Sequence, residues 1–133
     1  MKPETIEHVE TAVRDRNLAR ALVRHGVGLG LEPPPYEWVV VVGFYAAVHY
    51  VNALLWERYS IKPNTHAERT GYIGSLAPLT TCRLEYRQLN NHGWSARYAP
   101  GYRLSEQLAR ALLDVNLARV EEVVCSRLGL TPS

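Results

Sequence analysis

The chain is predicted to fold as an all-α protein, an antiparallel bundle of four long helices plus one short helix. Apolar residues recur at helical spacing in four separate stretches. Two breaker clusters, GVGLGLEPPP at 26–35 and YAPGY at 98–102, divide those stretches, and no segment alternates apolar with polar residues long enough to make a strand.

Pro3 sits where a first helical turn tolerates proline, and Ile6, Val9, Val13, Leu18 and Leu22 follow until Gly26 and Gly28 stop the run. This is a first helix over residues 3–25. A second runs from Tyr36 to Tyr59. Thr65 with Glu68 three positions on is a capping box, opening a shorter third helix that fades between Gly74 and Pro78. A fourth begins near Leu79. Ser105 caps the last, which ends at Gly129 and carries Leu108, Leu112, Val115, Val120 and Val124 on its apolar side.

At 133 residues the chain is one domain, large enough to bury roughly two-thirds of its unfolded surface without staples. Cys82 and Cys125 stand far apart with no CxxC pair or histidine cluster nearby, so neither zinc nor a disulfide framework is signalled, and no cofactor is expected. A reduced, cytoplasmic setting follows, and the charged N-terminus MKPETIEHVE does not read as a signal peptide. The stretch VVVVGFYAAVHYVNALLW has membrane-like apolarity over eighteen residues, but His49 and Asn52 near its middle favour a buried bundle helix over a membrane span.

Net charge is only +2, yet arginine supplies 13 of the 15 basic residues. Between 81 and 105, Arg83, Arg87, Arg97 and Arg103 face a single acid, Glu85, with Tyr86, Trp94, Tyr98 and Tyr102 interleaved. Guanidinium and aromatic groups in that mixture suit phosphates and unstacked bases, and they suit an ordinary solvated face equally.

Two segments carry a family resemblance. Helix two reads Phe44, Tyr45, Ala46, Ala47, Val48, His49, and the penultimate helix carries Tyr86, Leu89, Ala96, Arg97, Tyr98. In order and spacing these are similar to helices of the HEPN superfamily, small helical proteins that bind or cut RNA or bind nucleotides, with Arg97 where many members have aspartate. An uncharacterised branch resembles the chain further, with His66 and Arg69 opening the middle helix and Ala96, Arg97 and Tyr98 closing the penultimate one. The resemblance spans about residues 36–125. It implies an interaction with RNA or nucleotides, possible metal-independent RNA cleavage in a toxin or defence setting, and a homodimer through helix two and the penultimate helix. The alternative to that leading reading is a non-catalytic dimerising module that binds a partner such as a nucleotidyltransferase-like antitoxin.

Catalytic HEPN proteins are similar to one another in an Arg-x4-6-His motif. Arg87 to His92 has that spacing, which would put Arg87 on the phosphate and His92 in the role of acid or base. Arg20 to His25 has it too, in a helix where the family places no site. Leu79, Cys82, Tyr86, Leu89, Gly93 and Ala96 repeat at 3, 4, 3, 4, 3, the stripe of one continuous helix on which Arg87 and His92 lie about 140° apart. A dimer would relieve that separation, as would a left-handed cap at Gly93.

The remaining polar candidates fall into two groups. Tyr45, His49, Asn52 and Trp56 share one face of helix two and line a cleft, an interface or a satisfied core. His66 and Arg69 open helix three, where free amides favour an anion, and with Arg97 and Tyr98 they form the candidate binding group. No phosphate-cradling glycine loop, nucleophile elbow or metal cluster is present in the sequence.

Overall fold

The structure, a computed structural model, describes residues 1–132. Its elements are α1 (Pro3–His25), α2 (Tyr36–Tyr59), α3 (His66–Ser75), α4 (Ala77–Thr80), α5 (Arg83–Tyr98), α6 (Glu106–Ala111), a π-helical segment (Leu112–Leu117) and α7 (Ala118–Leu128). A single 3-10 turn, Val27–Leu29, follows α1. Among the described residues there is no strand.

The protein is a helical bundle built around α2, which packs against α1, α5 and the last helical run. Val39, Val40, Phe44, Tyr50, Val51, Leu54 and Leu55 are all fully buried. The apolar circumference that gives α2 its membrane-like composition is therefore largely used inside one chain, its most apolar window being 72% buried. Burying that many branched and aromatic side chains, at roughly 1.5–3 kcal/mol each, makes α2 the main contributor to the core.

Three details depart from the sequence reading. On α1 the seam against the core runs through Thr5, Ala12, Arg16, Ala19 and Val23, while Ile6 and Leu18 are exposed. Small side chains let α1 and α2 approach closely, and the larger residues are left at the flanks. The fourth helix is interrupted: Cys82, at φ −118° and ψ 17°, separates α4 from α5. The Thr80 and Thr81 hydroxyls donate to the carbonyls of Ala77 and Pro78, offering the backbone a local alternative to a continued helix. Leu79 and Cys82 stay buried in line with Tyr86, Leu89 and Gly93, so the stripe survives the break.

The last run, capped by Ser105 Oγ accepting from the Leu108 amide, is not a uniform α-helix. Burial follows Ala109, Leu113, Leu117, Val120, Val124 and Leu128, mostly in steps of four, because the π segment widens a turn. That shift leaves Leu108 and Val115 exposed, against expectation, and turns Asn116 inward, where its Nδ2 donates to Gln88 Oε1 at 2.6 Å.

Candidate functional site

One face of α2 supplies a row of polar side chains, each engaging a different element. Tyr45, His49, Asn52 and Trp56 lie a turn or so apart by helical periodicity. The Tyr45 hydroxyl accepts from Arg97 Nη1 of α5 at 2.7 Å. His49 Nδ1 meets His8 Nδ1 of α1 at 3.0 Å. Asn52 Oδ1 accepts from Arg69 Nε of α3 at 2.8 Å. Two ammonium groups, Lys2 and Lys62, lie over the Trp56 ring at 4.6 and 4.5 Å from its centroid.

The middle of this row is an arginine–histidine cluster over the Phe44 ring. The ring of His66, in the first turn of α3, lies 5.7 Å from that of Phe44 at a 40° tilt, and the Arg97 guanidinium lies 5.6 Å from the same ring. Arg69 Nη1 donates to His66 Nδ1 at 3.0 Å. A guanidinium has no acceptor to offer, so that imidazole nitrogen must be unprotonated and the His66 proton sits on Nε2. Burial, then the positive charges of Arg69 and Arg97, hold the His66 pKa below its ordinary value. Arg97 Nε also donates to the Gly93 carbonyl, and its guanidinium lies 5.2 Å from the Tyr98 ring.

Electrically the cluster is unbalanced. Arg69 is only 7% exposed, and its guanidinium donates to the neutral groups Asn52 and His66. Among the described residues no carboxylate lies within ion-pair distance of Arg69 or Arg97; the acids in ion pairs are Glu4, Glu106, Glu121 and Glu122, held by other cations. Tyr86, 1% exposed and packed on Phe44, holds its buried hydroxyl beside Arg69. Burial pushes its pKa up to about 12, against the pull of the nearby Arg69.

The candidate residues His66, Arg69, Arg97 and Tyr98 are thus brought together with Tyr45 and Asn52, whereas His49 pairs with His8 of α1. A cleft of about 190 Å³ between Glu4, His8, Asn52, Trp56 and Lys62 adjoins the cluster at Asn52. Arg87 and His92 are not joined within the chain. Helix α5 runs unbroken through Gly93 to Tyr98, so the left-handed cap does not form there. Arg87 is exposed beside Thr80, Arg83 and Leu84, while His92 Nδ1 is hydrogen-bonded to the Tyr102 hydroxyl.

Sequence reasoning passed over His8, Phe44 as the floor of the cluster, and a buried triad elsewhere. In that triad Arg16 Nη1 pairs with Glu121 Oε2 at 2.6 Å, and the Tyr50 hydroxyl donates to the same oxygen. Glu121 follows Val120 directly within the buried surface of α7, and an acid in such a place signals a buried partner. His8 has no such signal, since nothing local links it to His49. Among the described residues no group of three or more metal-ligating side chains occurs. No family model matches the chain, and no curated protein matches it.

Proposed function

We propose that the chain is a HEPN-like protein that binds RNA or nucleotides, with a phosphate taken up by the Arg69–His66–Arg97 cluster. Arg69 carries the reading: a guanidinium cannot neutralise itself by losing its proton, and burying it beside neutral groups alone is costly. A phosphate supplies the missing charge, accepts from both arginines, and accepts from His66 Nε2–H.

In this reading the four long helices form an antiparallel bundle of HEPN type, and the protein is a cytoplasmic toxin or defence component. RNA cleavage is a further proposal that needs a homodimer, because Arg87 and His92 have separate surroundings in one chain. It predicts cutting that persists in EDTA, leaves a 2′,3′-cyclic phosphate, spares DNA, and is lost in His92→Ala but not in His25→Ala. The same separation favours a second reading, a non-catalytic module that binds a partner protein such as a nucleotidyltransferase-like antitoxin. Light scattering at micromolar concentration tests the dimer, a monomer mass removing the composite site.

The binding experiment is an equilibrium titration with adenosine 5′-monophosphate and with a short RNA at low salt. Arg69→Gln and Arg97→Gln are each expected to weaken both ligands by roughly tenfold or more, the scale of one lost charge-assisted contact. Unchanged affinity in both folded variants overturns the assignment.

A further inference from the structure

We infer that the exposed face of α5 beside this cluster is a stacking track for single-stranded nucleic acid, with unpaired bases on Trp94 and Tyr98 and the adjoining phosphate at Arg97. The inference rests on the phosphate reading of the cluster and extends it from an anion to a class of polymer.

The buried stripe of α5 has a counterpart on its outer side. Leu84, Arg87, Asn91, Trp94 and Tyr98 repeat at 3, 4, 3, 4, and all five are exposed. Trp94 is 57% and Tyr98 61% exposed, high values for aromatic side chains, whereas Tyr86 on the same helix is 1% exposed. They are not independent: their ring centroids are 5.4 Å apart with planes inclined at 56°. The tilt leaves ring surface on both residues open to a ligand, and the Arg97 guanidinium lies 5.2 Å from the Tyr98 ring. An aromatic platform and a phosphate-seeking charge therefore meet within one turn of helix. From Arg87 to Tyr98 the row extends about 16 Å along the axis, more than a single nucleotide covers.

Charge selects the occupant. Arg87 stands in the row and Arg97 beside it, and the one acid of α5, Glu85, is half-buried with an inward carboxylate oxygen. A second copy docking with its row parallel would set arginine against arginine, and neither parallel nor antiparallel docking supplies an acid from the row to either copy. A single strand instead brings repeated negative charge and open π-faces together. In a duplex the bases are already stacked and paired, so their faces are unavailable to Trp94.

Fluorescence anisotropy with labelled oligonucleotides at low salt tests this, using single-stranded RNA, single-stranded DNA and duplex RNA of one sequence. Inorganic pyrophosphate serves as a base-free competitor. Wild-type protein is expected to bind either single strand at least tenfold more tightly than duplex, since stacking does not read the sugar. Trp94→Ala should weaken single-strand binding by roughly tenfold, Trp94→Phe should restore most of it, and pyrophosphate binding should be unchanged in both. Equal affinity for duplex and single strand, or no loss in Trp94→Ala, overturns the track. If pyrophosphate binds through Arg69 and Arg97 while Trp94→Ala is silent, the track alone fails. If pyrophosphate binding ignores Arg69 and Arg97, the phosphate site fails, and the track in the form stated here fails with it.

Discussion

The Gly93 position shows how closely α5 rides on α2. A Cβ added there would meet Phe44 Cβ at 3.2 Å, an atom rooted in the backbone of the central helix. At Gly43 the added atom would meet Leu113 Cδ2 at 2.9 Å, the far end of a side chain that can change rotamer. Alanine gains about 1 kcal/mol of helix propensity at either site, and overpacking a rigid neighbour costs about 1–3 kcal/mol. Gly93→Ala is therefore expected to lose about 1 kcal/mol in urea denaturation, and Gly43→Ala to be neutral or stabilising. Gly43 is therefore replaceable, whereas Gly93, at the crossing of α5 and α2, is replaced only at a loss.

Among elements, two of the polar contacts that fasten α1 to the bundle are of opposite character. Arg16 and Glu121 are a buried charged pair, with side chains 4% and 7% exposed, and the carboxylate also receives Tyr50. Burial, then this hydrogen bond, drives the Tyr50 pKa far above its usual value, so the phenol stays a donor. Removing one charge strands the other: Arg16→Met should cost about 3–5 kcal/mol by thermal or urea unfolding, and Arg16→Met combined with Glu121→Leu should recover part of that loss. The second contact, His8 with His49, requires at least one neutral ring, because two imidazolium ions would point two donors at each other.

Burial lowers both pKa values of that pair. For His8, Glu4 and Glu7 oppose the shift while Arg69 and Lys62 add to it; for His49, His8, Arg69 and Arg14 add to it and Asp15 opposes. His66 shifts the same way. The unfolded chain then binds more protons than the folded one below the ordinary histidine pKa of 6.5, so stability is complete above that pH and falls as the solution is acidified. The urea midpoint should drop between about pH 7.5 and about pH 5, and His8→Gln should flatten that dependence.

For the whole molecule, a core centred on one apolar helix and free of metal-ligand clusters among the described residues predicts a cooperative helical unfolding transition. Circular dichroism should give a helical spectrum whose melting midpoint is unmoved by a chelator. Loss of structure on chelation would show that a metal contributes to folding.

Helix existence, the bounds of α1 and α2, the Thr65 and Ser105 caps and the buried stripe of α5 were legible because each depends on residues within a turn or two of one another. Local chemistry also brought forward the arginines and tyrosines of the cluster. Which of them meet depends on contacts far apart in the chain: Asn52 with Arg69, Tyr45 with Arg97, His8 with His49 and Arg16 with Glu121. Spacing could not separate Arg87–His92 from the cluster at Arg69 and Arg97, because periodicity reports the direction of a side chain on its own helix and not the partner it finds. The break at Cys82 and the π turn at 112–117 were hidden for a related reason. The break follows from which carbonyls the Thr80 and Thr81 hydroxyls find, and the π turn keeps the apolar row of the last helix on the core; periodicity along one helix reports neither.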